Sequence, residues 1–149
     1  MKIFIISLLV SLTLGPTTSN HTSTPFQTKK EIIMKKVTFN SEGLNLVGEQ
    51  MESLYAEQFA QQGFIALAFD FRNYGESEGQ PRFYESPKMK AEDIKNAVTF
   101  LSNLPEVNQD KITSIGICAG AMYTLMAAAE DTRIKVVATA APWIHDSEA

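Results

Sequence analysis

The sequence has little cysteine and little histidine, and this scarcity narrows what the protein can be. Among 149 residues there are one cysteine, Cys118, and two histidines, His21 and His145. A single cysteine cannot close an internal disulfide, so in an oxidising compartment Cys118 is either buried and inert or a reactive thiol. We expect no metal ion and no cofactor.

An excess of positive charge is also missing. Lysine and arginine number 13 against 17 aspartate and glutamate residues, and the two signs are interspersed along a chain of formal net charge -4. We therefore expect no nucleic-acid partner. The hydrophobic fraction of 44% argues against a disordered or fibrous chain, and the length predicts a single domain with one ordinary core. Neither property predicts the oligomeric state.

Long apolar runs are missing except at the start of the chain. Lys2 supplies a positive charge, and the run from Ile3 to Leu14 is apolar apart from three hydroxyl residues. The run is too short to cross a bilayer as a helix, so we expect no stable membrane span, and its shape is that of a secretory signal peptide. We predict a signal peptide over residues 1–19 and a polar linker over 20–34. The protein is then secreted or periplasmic, whereas translation from Met34 would leave it cytoplasmic.

The remaining residues, 35–149, alternate between strand and helix patterns. Two alternating segments flank the turn Ser41-Glu42-Gly43 and predict an N-terminal β-hairpin. The elements predicted after it are a helix over Glu49–Gln62, a strand over Phe64–Phe69, a long loop over Asp70–Pro87, a helix over Lys90–Leu104, a strand over Ile112–Ile117, a helix over Ala119–Glu130 and a strand over Ile134–Ala141. The three strands are apolar runs, typical of strands buried on both faces of a parallel sheet. The predicted fold class is α/β, with a mostly parallel sheet and flanking helices.

Cys118 lies in the pentapeptide Gly116-Ile117-Cys118-Ala119-Gly120, between a predicted strand and a predicted helix. This context is typical of a nucleophile elbow, a turn so sharp that the nucleophile is strained and glycine is needed two places to either side. The backbone N–H of Ala119 can then donate to a developing oxyanion, and the helix start favours negative charge on the sulfur. The alternative is a small apolar cysteine packed at a strand-helix turn.

Two stretches resemble the α/β-hydrolase superfamily, and within it the dienelactone hydrolase-like and related serine hydrolases. Gly63–Gly79 is similar to the family's fourth strand and its D-x-R-x-x-G-x-S loop, and Lys111–Tyr123 is similar to its fifth strand and elbow. The likeness covers residues 35–145 and implies that Cys118 is the nucleophile, because dienelactone hydrolases use cysteine there. It implies a fold, but no particular substrate.

Within the loop that follows the fourth strand, we expect scaffold rather than catalytic residues. Gly75 and Gly79 mark turns, and Arg72 can pair with Asp70 or Glu76 to hold the shape of the loop. The loop would then support the site from one side.

The chain also departs from the family pattern. Family members have a third strand and a His-Gly-Gly loop, which gives the second oxyanion donor, whereas here Gly48 runs directly into Glu49. Because the lost strand lies between the fourth and fifth strands, the sheet must close its gap or carry unpaired backbone groups. The family's catalytic Asp and His follow the seventh and eighth strands, beyond residue 149. Downstream of Cys118 this leaves His145 as a candidate base and Asp146 as a candidate acid.

Three functions are open at this point. The first is hydrolysis of a small-molecule carboxylic ester, lactone or amide, in which Cys118 attacks and the Ala119 amide stabilises the oxyanion. The second is a catalytically inactive fragment that lacks part of the oxyanion hole and the usual Asp and His. The third is a secreted thiol protein or binding module with a cleft near Cys118. Family resemblance favours the first as ancestral chemistry, and the missing groups favour the second for this polypeptide.

Overall fold

The computed structural model describes residues 5–10, 36–48 and 53–144, which form an α/β fold as predicted. The strands are β1 (Ile5–Val10), β2 (Val37–Ser41), β3 (Leu44–Gly48), β4 (Phe64–Leu67), β5 (Ile112–Ile117) and β6 (Ile134–Ala140). The helices are α1 (Ser53–Gln61), α2 (Pro87–Ser102) and α3 (Ala119–Glu130), with a 3₁₀ turn over Gln109–Lys111. Strand β5 and helix α3 have the predicted bounds, and α1 was predicted from Glu49, of which the first four residues lie outside the described ranges.

The predicted β-hairpin is formed by β2 and β3, which pair antiparallel from Val37 opposite Gly48 to Ser41 opposite Leu44. Its turn has positive φ at Glu42 (50°) and at Gly43 (87°), a geometry that matches the twist of a two-residue hairpin. The side chain of Asn40 accepts a hydrogen bond from the Gly43 N–H at 3.0 Å. This turn chemistry fixes the register that turns Phe39 and Leu46 into the core.

Strand β1 occupies the position in the sheet where family members have the third strand that this chain lacks. The sheet order is β4-β1-β5-β6, and β1 runs antiparallel to both neighbours, with Ser7 opposite Leu67 on β4 and opposite Ser114 on β5. The gap is therefore filled by residues of the predicted signal segment, which pair with the strands on both sides of it. Strands β4, β5 and β6 share one direction. Export stays a prediction, and cleavage near Ser19 would remove β1 from the sheet.

Two of the strands are less buried than predicted. We expected Ile134–Ala141 to be buried on both faces, but in β6 only Ile134 is buried, and Val136 is 54% exposed. Strand β6 is more exposed because it lies at the edge of the sheet: among the described strands it pairs with β5 alone. Strand β4 was predicted to reach Phe69, but it ends at Leu67, and its first three residues are half-buried.

Helices α2 and α3 cover the core beside the sheet. Helix α2 begins at Pro87, whose missing N–H costs nothing in a first turn, and the Ser86 side chain caps it by accepting from the Met89 N–H at 3.4 Å. Its predicted start at Lys90 was three residues late. The helix turns an apolar face inward, with Ile94 among its buried side chains. The buried cluster comprises Phe39, Leu46, Leu67, Phe69, Phe71, Ala91, Ile94, Ala97, Val98, Leu101, Val107, Ile112, Ala119, Met122, Tyr123, Ala127 and Ile134.

Arg72 holds the loop after β4 to the hairpin and to α2, but not through the predicted partners. Its guanidinium donates to Asp93 Oδ1 at 2.7 Å, to Glu42 Oε2 at 2.8 Å and to Ser41 Oγ at 2.9 Å. The expected pairing with Asp70 or Glu76 was wrong, because the Asp70 carboxylate instead accepts the Glu76 backbone N–H at 2.9 Å.

Burial and charge act in opposite directions on Arg72. Burial lowers the pKa of its guanidinium, but the hydrogen bonds and charges of Asp93 and Glu42 outweigh burial and raise the pKa above its ordinary value. Arg72 is 4% exposed and Asp93 is fully buried. The loop is therefore anchored by a charged pair inside the core.

Candidate active site

The predicted nucleophile elbow is present at the end of β5. The strand ends at Ile117, helix α3 begins at Ala119, and Cys118 between them has φ 57° and ψ -123°. Such a conformation is costly for a residue with a side chain and persists only where the surroundings impose it. The expected backbone strain at Cys118 and the helix start at Ala119 are both confirmed.

Gly116 makes the sharp turn possible. A Cβ atom at this position would collide with backbone atoms of Gly120 and Ala121. Helix α3 therefore packs directly on the end of β5, which is the role that the sequence pattern predicts for glycine two residues before the nucleophile.

Three backbone hydrogen bonds hold Cys118 in place. Its N–H donates to the carbonyl of Ala140 on β6 at 3.0 Å, and its carbonyl accepts from the N–H groups of Ala121 and Trp143, each at 3.1 Å. The side chain carries a free thiol and is half-buried. The sulfur therefore lies at the carboxyl end of the strands, next to the first turn of α3, whose N–H groups lack helical partners.

A cluster of polar side chains lies beside the elbow, which we call the Glu85 cluster: Glu85, Tyr74, Lys90 and Tyr123. The carboxylate of Glu85 accepts from Tyr74 Oη at 2.6 Å, from Lys90 Nζ at 3.0 Å and from the hydroxyl of Tyr123. Tyr123 lies on α3 one helical turn after Ala119, so the cluster joins the loop after β4 and helices α2 and α3.

The ammonium group of Lys90 is enclosed by aromatic rings. Its Nζ atom lies 4.0 Å from the ring centroid of Tyr74, 4.9 Å from that of Phe71 and 5.3 Å from that of Tyr123. The Lys90 side chain is 3% exposed, while that of Glu85 is 47% exposed. The buried ammonium group of Lys90 thus makes cation–π contacts and also pairs with the half-exposed carboxylate of Glu85.

The environment shifts the pKa values of the cluster in opposite directions. Burial raises the pKa of Tyr123, and its bond to Glu85 and the nearby Cys118 add to the rise. Burial, with the bond to Glu85, raises the pKa of Tyr74 to about 12. Burial also raises the pKa of Glu85, but bonds from Tyr123, Tyr74 and Lys90 outweigh it and leave that pKa lowered.

Lys90 responds to burial in the opposite sense. Burial lowers the pKa of its ammonium group, and the bond to Glu85 with the charge of Asp93 offsets only part of this. The shifts therefore favour the ionised form of Glu85 and the protonated forms of the two phenols, and they weaken the hold of Lys90 on its proton.

The sequence placed some site residues and missed others. Cys118 and Ala119 lie at the turn between β5 and α3, and their catalytic roles stay predictions, whereas His145 and Asp146 lie outside the described residues. Glu85, Lys90 and Tyr123 were missed, because each carries an ordinary local pattern and the cluster forms only through tertiary contacts.

Within residues 36–48 and 53–144 no group of three or more His, Cys, Asp or Glu is arranged to hold a metal ion. No described helix is long and apolar enough to cross a membrane.

Two relatives are similar to this chain in sequence. The chain is 34% identical over 143 residues to polyketide transferase claH of Penicillium crustosum, which covers 87% of this chain and 46% of that protein. It is 50% identical over 93 residues to uncharacterized protein PA2218 of Pseudomonas aeruginosa, which covers 62% of this chain and 25% of that protein. The chain thus spans less than half the length of either relative.

Solved structures agree with these matches. The crystal structure of PA2218 from Pseudomonas aeruginosa superposes with a TM-score of 0.71 at 33% identity, over 89% of this chain and 49% of that chain. The crystal structure of the α/β hydrolase GrgF from Penicillium sp. sh18 gives a TM-score of 0.67 at 29% identity, over 74% of this chain and 46% of that chain. Residues 16–148 match the family described as X-Pro dipeptidyl-peptidase (S15 family). The chain therefore belongs to the S15 family of the α/β-hydrolase superfamily.

Proposed function

We propose that Cys118 is a nucleophile that accepts the acyl group of a carboxylic ester, lactone or amide. The observation that carries this proposal is the backbone of Cys118, which is strained at φ 57° at the start of an α-helix. Strain of this kind is retained at sites where geometry serves a reaction. A cysteine that served only to fill space at the turn would be expected to be fully buried, whereas Cys118 is half-buried at the carboxyl end of the strands.

The proposed step is addition of sulfur to the substrate carbonyl followed by loss of the leaving group. A bond forms between Sγ of Cys118 and the carbonyl carbon, and the electron pair of the C=O bond moves to oxygen, where the Ala119 N–H donates to it. Collapse of this adduct breaks the bond to the alcohol or amine, which departs with the thiol proton. The product is a thioester on Cys118, which water then hydrolyses to regenerate the thiol.

The comparisons support acyl chemistry. The relative claH is named as a polyketide transferase and the matched family as an X-Pro dipeptidyl-peptidase, and attack on an acyl carbonyl in this chain is consistent with both names. The resemblance of the elbow to that of dienelactone hydrolases, which use cysteine at this position, supports sulfur as the nucleophile. His145 as base and Asp146 as acid stay proposals, and without them hydrolysis of the thioester would be slow.

The experiment is rapid mixing of the full chain with p-nitrophenyl acetate. We expect a single-turnover release of p-nitrophenolate that Cys118→Ala removes, followed by no steady turnover above that variant. Absence of any Cys118-dependent release contradicts the proposal. We expect no steady turnover because loss of one oxyanion donor alone costs about 10²- to 10³-fold in turnover. Robust turnover that also disappears in His145→Ala would assign His145 as the base and overturn the single-turnover expectation.

A second candidate is a thiol or binding module without acyl transfer. It is favoured by Cys118 itself, a half-buried residue whose thiol forms no disulfide. In this case iodoacetamide would alkylate Cys118 while p-nitrophenyl acetate would leave it unchanged. The pair of reagents therefore separates the two candidates on one protein sample.

Export of the protein is a further part of the proposal. The apolar run from Ile3 to Leu14 has signal shape, so exported material should begin after residue 15 to 25. Intact-mass measurement that finds Met1 or Lys2 at the N-terminus of exported protein would refute it. Retention of the segment would instead leave β1 in the sheet between β4 and β5.

A further inference from the structure

The segment Ile5–Val10 carries two sequence patterns at once. It reads IISLLV and is the apolar centre of the predicted signal segment, whose positive charge is supplied by Lys2. The same six residues form strand β1, and apolar, partly β-branched residues suit a strand with neighbours on both sides. One stretch of chain therefore meets the requirements of a membrane-binding segment and those of an inner strand of the sheet.

Strand β1 is paired along both of its edges. Four of its residues lie opposite residues of β4, and five lie opposite residues of β5. Ser7, for example, is opposite Leu67 on one side and opposite Ser114 on the other. If β1 left the sheet, the facing edges of β4 and β5 would lose these partners, and unpaired backbone groups are costly where water does not reach them. The segment cannot bind elsewhere and complete the sheet at the same time.

Departure of β1 would also affect the nucleophile elbow. The first residue of β1, Ile5, lies opposite Gly116, the glycine two places before Cys118. On its other side Gly116 lies opposite Thr139 of β6. Strand pairing on both sides therefore holds the end of β5 from which the turn at Cys118 departs. Loss of β1 would leave that end paired with β6 alone.

We propose that Lys2 and Ile5–Val10 bind an anionic membrane surface, and that this binding withdraws β1 from the sheet and opens the strand end that carries Cys118. A lipid surface is the partner that fits, because anionic headgroups attract the positive charge and the apolar residues gain from burial at the interface. Since lipid binds only the released segment, it shifts the chain toward the open state by mass action, and the closed state weakens its apparent affinity. This inference concerns the state of the fold and does not depend on acyl transfer by Cys118.

The test locks β1 into the sheet with a disulfide. Ser7 and Ser114 are opposite each other, and the Cα atoms of opposite residues in antiparallel strands are about 4.5–5.5 Å apart, a distance that a disulfide spans. Ser7→Cys and Ser114→Cys are combined in the Cys118→Ala background, because Cys118 is the sole cysteine and would otherwise compete. The matched control combines Ser7→Cys with Thr113→Cys, since Thr113 lies opposite Leu8 and neighbouring residues of a strand point to opposite faces. We expect mild oxidation to cross-link the first pair and not the second, as read by non-reducing intact mass.

Lipid binding is then compared between the oxidised and reduced forms of the cross-linkable full chain, with the wild-type chain alongside. With phosphatidylglycerol vesicles, we expect the oxidised form to bind about tenfold or more weakly than the reduced form. In the reduced and wild-type chains, the vesicles should remove hydrogen-exchange protection from β4 and β5 while the β2–β3 hairpin keeps its own. Uncharged phosphatidylcholine vesicles should have a smaller effect on both quantities.

Three results would overturn the proposal. The first is equal vesicle affinity of the oxidised and reduced forms. The second is vesicle binding, or its absence, that leaves β4 and β5 fully protected in the wild-type chain, a measurement that does not depend on how the variants fold. The third is cross-linking of the control pair in place of the pair at Ser7 and Ser114, because β1 would then lack this register. Failure of the proposed acyl chemistry is distinct, since it is measured on Cys118 with p-nitrophenyl acetate and without lipid.

Discussion

Two buried cations, Arg72 and Lys90, lie at opposite ends of the same stretch of chain and are held in different ways. Arg72 is paired with Asp93, and both side chains are closed off from solvent at 5% and 0% exposure. Lys90 is buried to a similar degree, at 3%, but its carboxylate partner Glu85 is 47% exposed. The first pair is closed off from solvent inside the core, and the second is open to solvent on its carboxylate side.

The difference separates scaffold from site. The planar guanidinium of Arg72 uses its several donors at once and ties the hairpin to α2, a task that suits arginine. Lys90 is a point charge set among aromatic rings, and the side chain of its partner Glu85 is 47% exposed to solvent. We conclude that the Arg72 pair is part of the buried scaffold, whereas the Glu85 cluster links helices α2 and α3 and stays partly open to solvent.

The largest expected effect comes from breaking the sealed pair. Arg72→Met leaves the fully buried Asp93 without its cation, so we expect the free energy of unfolding to fall by about 3–5 kcal/mol in urea titrations. Lys36→Met is the control, because Lys36 and Glu76 are 55% and 51% exposed in their ion pair and its loss should cost about 1 kcal/mol or less. Equal losses in the two variants would remove the distinction between sealed and open pairs.

A smaller effect is expected from the corresponding change in the open pair. Lys90→Met removes the cation, but the half-exposed Glu85 can regain water and the methionine side chain fills the aromatic enclosure. We therefore expect a loss of about 1–2 kcal/mol in the same titrations. A loss as large as that of Arg72→Met would mean that both pairs serve the fold alone.

Removal of one hydroxyl from the Glu85 cluster should have a still smaller effect. Tyr123→Phe keeps the ring contact with Phe71, whose centroid is 5.9 Å away, and deletes only the bond to Glu85. We expect a loss of about 1 kcal/mol in thermal or urea unfolding. No measurable change, together with an unaltered rate of Cys118 alkylation, would show that the nucleophile helix does not depend on the cluster.

The smallest effect concerns acid. Because the pKa of Glu85 is lowered in the folded chain, its contribution to stability is present above the ordinary value of 4.5 and is lost as the pH falls through the folded pKa. We expect urea midpoints of Glu85→Gln to decline less steeply than those of wild type below pH 4.5. Parallel curves for the two proteins would contradict the assigned direction of the shift.

The elements that the sequence predicted well are those with strong local signals. The run Ile112–Ile117 and Gly116 with Gly120 define β5 and the turn at Cys118, because a buried strand and a tight turn each leave a pattern in adjacent residues. The apolar run near the N-terminus fits both a signal peptide and a strand, so its pairing as β1 was not foreseen.

Partners that are distant in sequence were predicted poorly. Arg72 has acidic neighbours at Asp70 and Glu76, yet it pairs with Asp93, which α2 brings close in space. The Glu85 cluster likewise draws its members from separate elements, and no local pattern marks them. Sequence spacing therefore predicts the turn at Cys118, while the groups around it depend on tertiary packing.

The most direct test of the account is whether the folded elbow makes Cys118 reactive toward acyl groups. The full chain is incubated with p-nitrophenyl acetate, natively or unfolded in concentrated urea, and acetyl adducts are mapped by peptide mass spectrometry, with Cys118→Ala as control. We predict one adduct on Cys118 that forms faster in the native chain than in the unfolded chain. Equal rates in the two states, or native adducts spread over lysines with none on Cys118, would contradict the claim.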